Sequence, residues 1–80
     1  MLFSKVRNYL VNKSYNINLY KNGIYIYDYL LIDCISENLL IIKFTEFTLK
    51  IIGHNFSVNK MLDNEVVFNG EIKRIEFEYS

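Results

Sequence analysis

The chain contains no proline, one cysteine, one histidine and three glycines among its 80 residues. A single cysteine, Cys34, cannot form an internal disulfide, which excludes a small scaffold stapled by disulfides. Without proline, nothing forbids any strand-like segment from lying in the middle of a sheet. The glycines stand singly at positions 23, 53 and 70, so the sequence lacks a glycine-rich loop that could cradle a phosphate.

An excess of one charge sign and a long apolar run are also missing. Nine Lys and Arg are balanced by nine Asp and Glu, which removes the basic field on which nucleic-acid binding relies. The longest apolar run, residues 39–42, ends at Lys43 and is far shorter than the roughly 20 residues of a membrane-spanning helix. The composition, 51% hydrophobic and 22% charged, is typical of a folded chain. We expect one small, marginally stable domain.

Residues 1–13 differ from the rest of the chain. They carry Lys5, Arg7 and Lys13 without any acid, and their apolar residues recur at near-helical spacing. This pattern predicts a short amphipathic helix or a tail, with peripheral contact to a membrane surface or a partner protein as the alternative. Three cations are a weak membrane anchor, at about 1 kcal/mol each. No apolar segment of signal-peptide type and no cleavage site follow.

From Tyr15 onward, apolar residues alternate with period two in short segments separated by turn residues. Asn22-Gly23 between two such segments predicts a hairpin of strands 14–20 and 24–29. Further strands are predicted at 30–35, 39–44 and 47–52, with breaks at residues 53–55 and 69–70. Residues 14–80 are therefore predicted to form an all-β domain, a small antiparallel meander folded into a sandwich or roll. A miniature β-solenoid is the alternative.

Candidate catalytic residues are few. His54 and Cys34 are the only residues of their kinds, and no clustered spacing supplies the three or four ligands of a zinc site. Cys34 lies in an apolar strand, where an unreactive thiol is the commoner outcome, and His54 follows a glycine in a turn. We therefore predict no catalytic, metal or cofactor-binding residues, no cofactor and no enzymatic activity.

A group of carboxylates near the end of the chain is the other candidate for chemistry. Glu76 and Glu78 share one strand face, with Glu71 nearby, and paired carboxylates can perform acid–base work. A solvated outer face is favoured instead, because the residues between them are apolar and point the other way. Lys73-Arg74 supplies counter-charges and, with the acids, protects this strand against edge-to-edge pairing.

Three tyrosines form the most distinctive pattern on the predicted strands. Tyr25, Tyr27 and Tyr29 project from one face, opposite Ile24 and Ile26. Packing into a second core, a protein interface and a ligand platform are all compatible with this pattern. The neighbouring Asp28 and Asp33 disfavour a polynucleotide. We expect an exposed protein-contact face.

A set of apolar and glycine positions in the second half of the chain resembles a known family. The two stretches are Leu49-x-Ile51-x-Gly53-x-x-Phe56-x-Val58 and Glu65-Val66-Val67-Phe68-x-Gly70-x-Ile72-x-x-Ile75-x-Phe77. Their order and spacing are similar to the YabP/YqfC family of small sporulation proteins of endospore-forming Bacillota. The resemblance covers about residues 15 to 79, and the ending is closer to the YqfC branch. The chain departs from the family at residues 27–29 and in its shorter leader.

The resemblance implies a non-enzymatic protein that acts in late endospore morphogenesis through protein–protein contacts. It implies the cytoplasm of the mother cell, with a peripheral position at the forespore membrane as a variant. The implied partner is a membrane protein of the YqfD or YabQ type, and the family offers no catalytic residues to carry over. A small ligand-binding or single-stranded nucleic-acid-binding β domain is the alternative function.

Overall fold

The computed structural model of the chain describes residues 16–79. The amphipathic segment predicted at residues 1–13 lies outside this part. The described part contains six strands and no helix: β1 (Asn16–Tyr20), β2 (Gly23–Tyr27), β3 (Leu31–Ile35), β4 (Leu39–Lys43), β5 (Phe47–Met61) and β6 (Glu65–Tyr79). The all-β prediction is confirmed.

All neighbouring strands are antiparallel and belong to one sheet, in the order β1-β2-β6-β5-β4-β3. Strands β3 to β6 form a meander, but β2 pairs with β6 and not with β3. The chain is therefore a hairpin added to a meander, and β1 and β3 are the end strands. A solenoid requires parallel stacking, so the solenoid alternative is wrong.

The first hairpin turns one residue earlier than predicted. Tyr20 pairs with Gly23, so the two turn residues are Lys21 and Asn22. Gly23 already belongs to β2, where a Cβ atom would lie 2.8 Å from the carbonyl oxygen of Phe68. Glycine is needed at this position because β2 and β6 approach closely, and not because the turn requires a positive φ.

The breaks predicted at residues 53–55 and 69–70 are bends within two continuous strands. The pairing of β5 with β6 shifts register on both sides of His54, Asn55 has φ 59°, and Gly70 has φ 142°. A Cβ at Gly53 would collide with the carbonyl oxygen of Glu71, and the Phe56 ring occupies the space beside both glycines. These features are β-bulges, which bend a strand and increase its twist.

One face of the curved sheet buries the core. Eleven apolar residues are buried, and no polar residue of the described part is buried with them. They alternate along the strands, as the period-two pattern predicts, and a single sheet can enclose them only by curving at the bulges. The core residues are Ile24, Ile26, Leu40, Ile42, Phe44, Phe47, Leu49, Ile51, Phe56, Val66 and Phe68.

Two backbone hydrogen bonds fix the β3–β4 turn against the bend of β5. The N–H of Gly53 donates to the Asn38 carbonyl at 3.0 Å, and the N–H of Phe56 donates to the Glu37 carbonyl at 2.9 Å. The second half of β5 therefore continues past the turn that begins β4. This arrangement sets the second half of β5 beside the β3 end of the sheet.

Candidate functional site

Two strand segments on this side of the sheet have one unpaired edge in the part of the chain that the structure describes. β3 pairs only with β4, and residues 57–61 of β5 pair only with β6. An unpaired edge presents backbone N–H and C=O groups that can pair with another chain. Both edges are therefore open to an additional strand.

An open groove of about 380 Å³ lies between β3 and the end of β5. We call it the β3–β5 groove. Its lining is Tyr29, Ile32, Asp33, Cys34, Ile35 and Met61. Among residues 16–79, six of the ten exposed large hydrophobic residues lie on its two strands or in the adjoining turns: Leu30, Leu31, Ile35, Val58, Met61 and Leu62.

The groove is an apolar surface with one ionisable acid. Ile35 and Met61 in its lining are 44% and 47% exposed, and Asp33 is the only charged residue that the described part of the chain contributes to the lining. The whole chain has no net charge, because Lys5, Arg7 and Lys13 balance an excess of three acids in residues 16–79. With Asp33 in its lining, the groove favours an apolar ligand with positive charge.

The β3–β5 groove does not have the composition of a nucleic-acid site. A cleft that stacks bases needs several aromatic side chains and convergent cations. From residues 16–79, the lining receives one aromatic residue, Tyr29, and no Lys or Arg. Nothing in the described part of the chain favours the nucleic-acid alternative over a protein ligand.

Cys34 and His54 lie in different parts of the fold. The half-buried Cys34 lines the groove, and its thiol has the Leu39 carbonyl as a partner at 4.0 Å. His54 is exposed at the bend of β5, opposite Glu71 of β6. Among residues 16–79, no three His, Cys, Asp or Glu side chains are placed to hold a metal ion. No hydrogen bond between Cys34 and His54 is present among the described residues.

The carboxylates at the end of β6 lie on the outer face, each near a cation. Glu76 accepts from Nε of Arg74 at 2.9 Å, and Glu78 lies 3.5 Å from Nζ of Lys50. On the opposite face, Phe77 and Tyr79 stack with ring centroids 6.4 Å apart, and both contact the Phe47 ring. Phe77 is 48% exposed. This half of β6 is a second apolar edge, flanked by ion pairs.

The prediction that Tyr25, Tyr27 and Tyr29 share one face is wrong for Tyr29. Tyr25 and Tyr27 share the outer face of β2 and are half-buried, not largely exposed. Asp28 has φ 62°, which interrupts the alternation, and Tyr29 packs against the core and lines the β3–β5 groove. Tyr20 of β1 pairs with Gly23 of β2, so it lies on the same face as Tyr25 and Tyr27. The outer tyrosine cluster is therefore Tyr20, Tyr25 and Tyr27.

The surroundings of Tyr25 raise the pKa of its hydroxyl. Burial raises the pKa of its hydroxyl above the ordinary value of 10.0, and the Glu65 carboxylate raises it further. The hydroxyl donates a long hydrogen bond of 3.5 Å to Oε2 of Glu65. The hydroxyls of Tyr27 and Tyr20 add smaller contributions in the same direction.

We expect Tyr25 to ionise only at pH values above its ordinary pKa, so Tyr25→Phe should remove an alkaline step from the titration. The protonated hydroxyl is favoured in the folded state, so its contribution to stability is complete below pH 10 and is lost as the pH rises further. Ultraviolet difference absorbance of wild type against Tyr25→Phe measures this step. Glu65→Gln should move it to lower pH. An unchanged titration in Glu65→Gln would contradict the assignment.

The sequence does not predict the groove as a site, although it predicts Tyr29 to be part of a contact face. Ile35 and Met61 carry no signal beyond their apolar character, which is common in β proteins. They line one groove because the long-range pairing of β2 with β6 leaves β3 as an end strand and because β5 continues past the start of β4, so that Met61 reaches the groove.

Comparison with known proteins leaves the chain without a match: no protein-family profile, curated protein or solved structure is similar to it. Within residues 16–79, no helix has the length and apolar character to cross a membrane.

Proposed function

We propose that the chain is a non-enzymatic protein-binding domain of the YabP/YqfC type, which acts in late endospore morphogenesis through protein–protein contacts. The observation that carries the protein-binding part is the β3–β5 groove, where exposed apolar side chains lie beside unpaired strand edges. Soluble domains rarely leave such surfaces without a use. Binding by strand addition uses backbone hydrogen bonds for affinity and adjoining pockets for specificity.

The family part of the proposal is supported by how the resembling residues meet. Gly53, Phe56 and Gly70 are separated in sequence but converge at the bend of β5 and β6. A Cβ at Gly70 would lie 2.5 Å from the Phe56 ring. A pattern whose members contact one another at a structural bend supports a shared fold better than a pattern of unconnected positions.

The proposed setting is the mother cell, with a membrane protein of the YqfD or YabQ type as the partner. Such a partner would present a segment at the membrane surface, to which this domain docks from the cytoplasm. Lys5, Arg7 and Lys13 would add a weak peripheral attraction to anionic lipid.

Deleting the gene in an endospore-forming host should lower the count of heat-resistant spores well below that of the parent strain. The count should return to the parental value with the wild-type gene. It should also return with His54→Ala, because this side chain is not proposed to do chemistry and lies outside the lining of the β3–β5 groove. A normal count in the deletion strain contradicts the sporulation role. Failure of a stable, folded His54→Ala protein to complement contradicts the non-enzymatic role.

A further inference from the structure

We propose that the β3–β5 groove binds an extended, basic and apolar segment of a partner protein, which adds as a strand to the free edge of β3. This inference deepens the proposed function and rests on its claim that the domain works by protein contacts. It commits to one occupant: a strand with alternating apolar residues and a cation placed to meet Asp33.

The unpaired edges select a strand over a small molecule. Small-molecule sites carry several converging polar groups that fix the orientation of the ligand. The side chains of the groove provide only Asp33, the Cys34 thiol and the hydroxyl of Tyr29. The backbone of β3 is a richer source of hydrogen bonds, because its second edge is free among residues 16–79. A peptide backbone can use that edge, and its side chains can cover Ile35 and Met61.

A β-bulge in β3 determines the position of Asp33, the charged residue of the groove lining. The pairing of β3 with β4 shifts between Ile32 and Cys34, so Asp33 is the extra residue of the bulge. Bulges at sheet edges redirect side chains, and the exposed Asp33 lines the groove. A charge at an edge also discourages indiscriminate pairing.

Asp33 therefore makes the free edge of β3 selective for a strand that carries a positive charge. A wholly apolar strand would cover the carboxylate without pairing it, and an acidic strand would repel it. A strand with a lysine or arginine at this point pairs the charge.

The probe is a fluorescein-labelled synthetic peptide with blocked ends, alternating valine and threonine with one lysine at the central valine position. Fluorescence anisotropy with the full-length protein should detect saturable binding. A matched peptide with glutamate in place of the lysine should bind about ten-fold more weakly, since an attraction to a partly exposed carboxylate becomes a repulsion. A peptide with proline at alternate positions should not bind, because it cannot pair with β3.

Variants of the protein test whether the peptide binds in the β3–β5 groove. Met61→Lys should abolish binding of the lysine peptide, and Asp33→Asn should remove the preference for lysine over glutamate. Leu19→Lys is the matched control, because Leu19 is 52% exposed on β1, the end strand at the other side of the sheet. It should leave binding unchanged. Circular dichroism of each variant verifies the β fold.

Several results would overturn the proposal. These are no binding of the lysine peptide to the folded protein, equal binding of the lysine and glutamate peptides, and unchanged binding to Met61→Lys. Binding that appears only when Lys5, Arg7 and Lys13 are replaced by serine also overturns it, because the chain itself is then the occupant. The proposed function is tested separately. If the deletion strain loses spores but the peptide does not bind, the result contradicts peptide binding in the groove and supports the role in sporulation.

Discussion

Replacing Phe68 with alanine is expected to lower the free energy of unfolding by about 3–5 kcal/mol, the usual cost of removing a buried aromatic ring. Phe68 has no exposed surface. It lies opposite Ile24 on β2 and Val58 on β5, so its ring is at the centre of three neighbouring strands. A domain of this size has a total stability of only about 5 kcal/mol. Phe68→Ala should therefore retain only about 0–2 kcal/mol of stability, which circular dichroism and urea titration would detect as a partly unfolded population and a much lower unfolding midpoint.

Phe77→Ala is the matched control for this change. It removes the same ring from the same strand, but Phe77 is 48% exposed at an unpaired edge. Its loss should cost about half as much or less, because less apolar surface leaves water on folding. Equal losses for the two variants would show that burial in the described core does not determine stability here.

The alternation of apolar residues was enough to predict most of this core from the sequence. Ile24 and Ile26, and Val66 and Phe68, are buried in pairs two residues apart. Period two places such residues on one face of a strand whatever its neighbours are. The core could be predicted because the property is local to each strand.

The topology and the groove could not be predicted in the same way. The pairing of β2 with β6 joins segments about 40 residues apart, and no local pattern distinguishes it from pairing with β3. The positive φ of Asp28 also has no clear sequence signal, since aspartate adopts this conformation only in some contexts. That single backbone angle removes Tyr29 from the predicted face and places it at the groove.

Gly53 and Gly70 also show that a local sequence pattern does not determine how a segment pairs with its partner strand. Gly53 and Gly70 were predicted as turn positions, but both lie inside continuous strands. A turn and a bulge use glycine for the same reasons. Only the partner strand decides between them. At Gly53 the deciding contact is with the carbonyl oxygen of Glu71, which leaves room for no side chain.

Gly53→Ala is accordingly expected to cost about 3 kcal/mol, at the upper end of the range for overpacked sites. The new methyl group would overlap the Glu71 carbonyl oxygen and would lie 2.6 Å from Cζ of Phe56. The backbone oxygen cannot move without separating β5 from β6 at their bend, where Gly53 pairs with Ile72. Thermal and urea unfolding followed by circular dichroism measure the loss.

Two further variants accompany Gly53→Ala: a surface control on the same strand, and a background that separates the clash with the Glu71 oxygen from the contact with the Phe56 ring. Ser57→Ala, at an exposed position of the same strand, should change stability by less than about 0.5 kcal/mol, as surface substitutions do. Adding Gly53→Ala to Phe56→Leu tests the ring, because a smaller side chain gives way to the methyl group. If the Glu71 oxygen is the main obstacle, most of the cost of Gly53→Ala persists in that background. A cost that disappears would assign the requirement for glycine to the packing of Phe56, and the bend would then be fixed by side chains and not by the approach of two backbones.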